Sequence, residues 1–509
     1  MTRHGGESRV FEANIPPESL TDTSAIVIGG GFGGLSSAAY LAAGGADVTV
    51  VEKNEQLGGR ASVLERDGFR FDMGPSWYLM PDVFDRFFGH FDRTTDSYYE
   101  LTQLDPQYRI VWKDGDVLDI SPDLETNKRR FDAYEPGAGN ALEDYLEAAA
   151  EQYTVGMEHF VYEDRERLRD FLDVRVLRNA RGLSLLGSMQ SYVERYFTHP
   201  KLQQVMQYSL VFLGGSPGNT PALYTLMSHV DFTLGVYYPT EGMGAVVDAV
   251  TSVGDEHGVE FVTETPISAI RRQNGSVHAQ SDDGVRFDAD VVVSNADYAH
   301  TELELLSERH RQYDPAYWES RTYAPSALVL YFGVEGAIEP LAHHTLVLPT
   351  DWSSHFTEIF DEPAWPTDPA YYLCVPSKTD HTVAPDGHSA LFALVPIARE
   401  ITDRSTAKER LRAQILEEIA AHCGVDLRER IVFEAQFCID DFANRYNSYE
   451  GTALGLAHTL RQTALFRPNR RSSALDGLYY TGSYTTPGIG VPMCLISGLH
   501  TARAIRRDR

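Results

Sequence analysis

SAIVIGGGFGGLSSAAYLAAGGADVTVVE, residues 24–52, holds a complete βαβ unit in one stretch. Ser24 to Ile28 begin a short apolar strand, and Gly29, Gly31 and Gly34 follow it as G-x-G-x-x-G, with Gly33 among them. Leu35, Ala38, Ala39 and Ala42 then recur at helical spacing until Gly44-Gly45 ends the run. Val48 to Val51 form a second strand closed by Glu52. The first glycine permits a tight turn, the second lets the backbone approach a pyrophosphate, and the third lets helix and strand pack closely. The helix start adds free N–H groups and the positive end of a dipole. Glu52, 18 residues after Gly34, stands where a carboxylate accepts hydrogen bonds from ribose hydroxyls. The order of strand, glycines, helix, strand and acid predicts an α/β, Rossmann-type nucleotide-binding domain.

The next residues bear on which nucleotide. Lys53-Asn54-Glu55-Gln56-Leu57-Gly58-Gly59-Arg60 supplies a second glycine pair and an arginine, for which a simple dehydrogenase has no need. FAD has more pyrophosphate and ribityl chain to hold, and a Gly58-Gly59 turn brings the Arg60 guanidinium within reach of it. Further on stand Phe71-Asp72-Met73-Gly74-Pro75-Ser76-Trp77 and, later, Gly235-Val236-Tyr237-Tyr238-Pro239-Thr240-Glu241-Gly242-Met243-Gly244. Near the end come Gln462, Arg467-Pro468, and the glycine-broken loop from Gly477 to Pro492.

Ala25 to Arg60 resembles the FAD fingerprint shared by amine oxidases, protoporphyrinogen oxidases and carotenoid desaturases. The later segments resemble the motifs of bacterial and archaeal phytoene desaturases. Two positions depart from that pattern: Glu241 replaces a usual glycine, and Thr486 stands where many members have histidine. The resemblance implies an FAD-binding domain of the glutathione reductase/amine oxidase-like kind with an inserted mixed α+β substrate domain. Residues 24–100, 236–310 and 455–509 are expected to form the first, 101–235 and 311–454 the second, with 1–23 a polar arm lacking a signal-peptide core. It also implies that Lys53 serves the cofactor, that Ile267 touches adenine through its backbone, and that Gly482, Ser483, Gly490 and Val491 surround the flavin. The implied reaction removes two hydrogens from a hydrophobic polyene, either phytoene or a later carotenoid desaturated at its 3,4 bond. The electron acceptor, oxygen or a quinone, stays open. Alternatives on the same fold are a non-redox carotenoid isomerase and a non-enzymatic prenyl-lipid binding protein.

No catalytic base stands out. Glu241 and Asp231 lie in or near a motif, whereas His229 and His458 read as hydrogen-bonded structural histidines. No metal-ligand spacing is evident in the sequence. Residues 259–293 read as hairpins or a small sheet, with Asn274-Gly275 as a turn; 101–235 reads as alternating helical and irregular segments; 406–422 reads as a helix, and a last helix starts near Met493 or Cys494.

The 509-residue chain carries 73 acidic against 44 basic residues, a net charge of −29, with lysine only at positions 53, 113, 128, 201, 378 and 408. No basic surface is available for phosphates, so nucleic acid is not an expected partner. High acid with low lysine points to a salt-rich cytoplasm, where screening relieves the repulsion. No run of about 18 apolar residues is present. Residues 174–189 hold Arg175, Arg178, Arg181 and four leucines without an acid, which makes them the candidate for a peripheral membrane contact.

Overall fold

The computed structural model describes residues 19–163, 187–273, 275–459 and 461–509. Asn274 and most of the arginine-leucine segment, residues 174–186, lie outside them, as do residues 1–18 of the arm.

Strand Ser24–Ile28 is the centre of a five-stranded parallel sheet, flanked by Asp47–Val51 and Val291–Ser294, with Glu260–Val262 and Leu478–Tyr480 at the edges. Val291, Val292 and Val293 are fully buried, as a strand covered on both faces must be. Helix Phe32–Ala43 is buried along almost its whole length. It packs between Met243–Glu256 and Val491–Asp508, which is why its sequence is apolar or small on every side. The approach to the last helix is close: Ser36 Oγ donates to the Leu495 carbonyl at 2.7 Å. A Cβ on Gly498 would strike the Ser36 side chain.

A second, seven-stranded sheet runs in the order Ile431–Phe437, Ser326–Glu335, His388–Ile397, Tyr371–Cys374, His344–Leu348, Tyr108–Trp112, Val117–Ile120. Only the pairing of His344–Leu348 with Tyr108–Trp112 is parallel.

Three expectations are corrected. Residues 259–293 are not one small sheet: Ile267–Gln273, Ser276–Ser281 and Arg286–Ala289 form an antiparallel unit, but Glu260–Val262 and Val291–Ser294 join the parallel sheet. An apolar run shows that a strand is buried and not which strand it pairs with. Residues 101–235 contain strands, because Tyr108–Trp112 and Val117–Ile120 form a hairpin that docks on a distant partner. The last helix begins at Val491, earlier than expected, with Pro492 in its first turn, where the missing N–H costs nothing.

Candidate active site

The C-terminal ends of the parallel strands open into one cavity of about 1160 Å³. This is the crevice where open α/β sheets bind ligands, and its volume lies above the usual range of roughly 300–1,000 Å³ for small-molecule pockets.

Gly29, Gly31, Gly33 and Gly59 form one wall of the cavity. Gly29 has φ +95°, open to glycine at no steric cost. A Cβ on Gly34 would run into the Gly29 carbonyl oxygen, so Gly34 sets the helix-to-strand distance from behind the wall. A Cβ on Gly33 would lie 2.6 Å from Asn295 Oδ1 and 2.8 Å from Gly482 Cα. The nearest atom to a Cβ on Gly31 is Asn295 Nδ2 at 3.0 Å; the next are at 3.9 Å. Gly31 therefore presents bare backbone to the cavity, and the second glycine pair is drawn to it: Gly58 N donates to Gly30 O at 2.8 Å.

Glu52 is buried on the wall. Its Oε2 accepts from Gly30 N at 2.8 Å and its Oε1 from Asn54 N and Nδ2, each at 2.9 Å. The acid thus ties the glycine turn to the end of the second strand. Arg60 also lines the cavity; its Nη2 donates to Ser448 Oγ at 2.7 Å, and its Nε is buried with no hydrogen-bond partner. A cradle of bare glycine backbone and a buried guanidinium nitrogen awaiting an acceptor fit a dinucleotide pyrophosphate. The amine of Lys53, by contrast, is committed to Asn444 O at 2.6 Å and Asn447 Oδ1 at 2.8 Å. Ile267 lies at the end beside Glu52, where Thr265 N donates to Glu52 O at 2.9 Å.

The C-terminal loop closes the opposite side. Ser483, Gly490 and Val491 line the cavity, and helix Val491–Asp508 starts there. Gly482, at φ +92°, stands behind the wall against Asn295, its N–H donating to Ser497 Oγ at 2.9 Å. The expected Arg467 braces this loop from below, and Gln462 holds the backbone of Thr322 through its amide. Arg467 is buried and donates to four carbonyls, those of Tyr484, Gln462, Leu456 and Ser483. Burial lowers its pKa to about 10. His458 acts structurally, as expected: its Nε2 accepts from Ile489 N at 3.0 Å while its Nδ1 pairs with Tyr224 OH.

Two motifs meet in a way their sequences did not reveal. Asp72 accepts from Met243 N at 3.0 Å and Gly244 N at 3.3 Å, so the first motif caps the helix supplied by the second. A Cβ on Gly242 would lie 2.7 Å from the Asp72 carboxylate. Burial raises the Asp72 carboxyl to about 6, against the pull of those amides. Glu241 does not reach the cavity. It is exposed, off the cavity wall, and bonded through its own N–H to Asp380 Oδ2 at 2.7 Å. Asp231 is also off the wall, buried behind Tyr208, and accepts from Tyr208 OH at 2.6 Å and Tyr108 OH at 3.2 Å. Burial raises it to about 7. His229 packs against Tyr153 at a tilt of 47°, with ring centroids 5.2 Å apart.

Asn295 was missed. It follows strand Val291–Ser294 as Glu52 follows Asp47–Val51, and its Nδ2 donates to Gly29 O at 3.2 Å. A polar residue just past an all-buried strand was the available signal.

Beyond the glycine wall the cavity turns apolar. Trp77, Met157, Met227, Val329, Leu346 and Phe356 are among its lining. The carboxylates on the wall, Glu52, Asp282, Asp297 and Glu304, come from around the parallel and three-stranded sheets; among the described residues the seven-stranded sheet contributes none.

A dinucleotide cradle opening into an apolar chamber defines a flavin oxidoreductase for a hydrophobic substrate. Residues 32–506 match the family of flavin containing amine oxidoreductases. A carotenoid 3,4-desaturase of Haloarcula japonica is 61% identical over 96% of this chain and 99% of its own length. A zeta-carotene-forming phytoene desaturase of Myxococcus xanthus is 32% identical over 93% and 92%. An oxidoreductase structure from Methanosarcina mazei superposes with a TM-score of 0.58 at 17% identity, covering 95% of this chain and all of that one. The chain belongs to the flavin containing amine oxidoreductases and, within them, to the carotenoid desaturases; it is an FAD-dependent oxidoreductase.

Proposed function

We propose that the protein introduces a C=C bond into a carotenoid, at the 3,4 position of a polyene that already carries most of its conjugation. The observation that carries this reading is the single cavity joining the glycine cradle to an apolar chamber. The 61% identity to a carotenoid 3,4-desaturase favours this reaction over isomerisation or simple lipid binding.

In this reading Gly29, Gly31, Gly33, Gly59 and Arg60 hold the FAD pyrophosphate with Gly34 spacing helix and strand behind them, Glu52 and the backbone of Lys53 face the ribose side, and Ile267 the adenine. Ser483, Gly490 and Val491 flank the ring, with Gly482 supporting them from behind. Bound FAD supplies the two-electron acceptor for the C–H that leaves as hydride. The first-turn amides of Val491–Asp508 lend positive potential to that side of the cavity, which favours the negative charge of a reduced ring. The apolar walls exclude water and hold the polyene in line, which converts substrate burial into orientation. The cation developing next to a conjugated chain is stabilised by that chain, so its proton leaves without a dedicated carboxylate, consistent with the acid-free walls of the seven-stranded sheet. Residues 24–100, 236–310 and 455–509 serve as the cofactor layer, and 101–235 with 311–454 as the substrate layer.

The substrate reaches the cavity from a lipid surface. Among the described residues no helix is long and apolar enough to cross a membrane. Phe466, on the cavity lining, is 64% exposed and marks a mouth. Residues 174–189 remain the proposed peripheral contact, and the electrons pass on to oxygen or a quinone. The test is pigment analysis of cells that make a 3,4-dihydro carotenoid together with this protein: a product with one more conjugated double bond supports the reading. An unchanged pigment alongside a flavin-loaded protein overturns it.

A further inference from the structure

Away from the cavity wall, the seven-stranded sheet gathers three metal-competent side chains. His344 opens strand His344–Leu348 and is the antiparallel partner of Cys374, which closes Tyr371–Cys374. His343 precedes it. The three residues are 5%, 0% and 1% exposed in the order His343, His344, Cys374. One ligand atom from each lies within 4.8 Å of the other two.

The outer contacts of the imidazoles complete the pattern. His343 Nδ1 lies 2.7 Å from Thr379 Oγ1, and His344 Nδ1 lies 2.6 Å from Tyr372 OH. Both Nε2 atoms are buried with no hydrogen-bond partner. An imidazole held through one nitrogen by an oxygen, with the other nitrogen left for coordination, is the usual arrangement of a metal-ligating histidine. Two neighbouring histidines that share it beside a buried thiol are costly to leave unfilled, because buried polar atoms are rarely left unpaired.

We propose that His343 Nε2, His344 Nε2 and Cys374 Sγ bind one zinc ion. Two imidazoles and a thiolate suit a borderline-soft ion. Zn–N and Zn–S distances of about 2.0 and 2.3 Å require one ligand atom from each residue to close in from a mutual separation of up to 4.8 Å. Cys374 binds as thiolate and its proton goes to solvent. The ion clips the two strands and fixes the tautomer of His344, whose Nδ1–H then donates to Tyr372 O. The Tyr372 hydroxyl then donates its one proton on its other side, where Ser76 Oγ lies 2.9 Å away on the cavity wall and the Cys374 sulfur also stands within hydrogen-bond reach. The metal would therefore set the polarity of a hydroxyl pair facing the substrate chamber.

The test uses the full chain, loaded with FAD, incubated with Zn²⁺ in molar KCl and passed through a desalting column containing a weak chelator. One zinc per chain is expected by mass spectrometry of the metal. Cys374→Ser should fall to background, while Cys423→Ser, a buried thiol outside the cluster, should keep the ion. With Co²⁺, a thiolate-to-cobalt charge-transfer band should appear in the wild type and in Cys423→Ser, and vanish in Cys374→Ser. If Cys374→Ser does not fold, X-ray absorption at the zinc edge of the wild type decides: one sulfur and two imidazoles support the site. A wild type that retains no zinc, or a zinc shell without sulfur, overturns it.

Discussion

The two sheets achieve their ends by different means. The parallel sheet works by removing side chains: the glycines at its strand ends open backbone to a ligand, and a Cβ at Gly29, Gly34 or Gly59 meets another backbone atom first. The seven-stranded sheet works by filling space with them, and its face toward the cavity is a surface of Val, Leu and Tyr that sets a volume. A site made of backbone tolerates no added atom, whereas a site made of side chains tolerates exchange at the expense of fit. Substitutions in the two regions should therefore fail differently.

The largest effect is expected at Gly34. A valine there collides with the Gly29 carbonyl, and the cost exceeds the ~1–3 kcal/mol of ordinary overpacking because backbone cannot move aside. Gly34→Val should yield protein without flavin absorbance; a variant that retains stoichiometric FAD would erase the contrast. Met227→Trp tests the apolar chamber that the seven-stranded sheet walls, from the short helix Leu226–His229. Met227 is partly buried on the apolar wall, and the indole should narrow the chamber. Flavin content should stay that of the wild type while turnover falls at least about tenfold, a loss of roughly 1.4 kcal/mol in transition-state stabilisation. Loss of flavin instead would mean that the two regions are not separable.

Asp231 sharpens the comparison through pH. Its carboxyl is raised from 3.8 to about 7 by burial, so the folded state holds a proton that the unfolded state releases. That contribution to stability is fully present below about pH 4 and is lost as pH rises through about 7. Its full size is at most about 4 kcal/mol. Asp231→Asn should flatten the fall in denaturation midpoint between about pH 4 and 7. An equally steep fall in the variant would place the titration elsewhere.

Salt should act on the whole chain and more gently. With a net charge of −29, lowering the ionic strength lengthens screening from about 3 Å at 1 M to about 10 Å at 0.1 M. The thermal midpoint should drop between those conditions, and a midpoint that does not move removes the salt-adapted reading.

The same division governs what could be read in advance. Residues 24–60 were legible because each step in them is local: a glycine spacing, a helix of small residues, an acid at a strand end. The role of the C-terminal loop was legible by resemblance, and the bracing by Arg467 and His458 has a local cause in their short distance along the chain from the loop. The role of Glu241 stayed open, since its place in a motif says nothing about which way the side chain faces, and here it is exposed.

The sequence by itself determined the nucleotide-binding unit, because glycine spacing expresses it directly, and the FAD it takes, through the second glycine pair, Arg60 and the resemblance that follows them. Tertiary structure decided the rest. It brought Asp72 to the helix at Met243, Asn295 to the glycine turn, and His343 and His344 to Cys374. Those meetings depend on strand order and register between residues far apart in the chain. A strand's own residues state that it is buried and do not state which partner buries it.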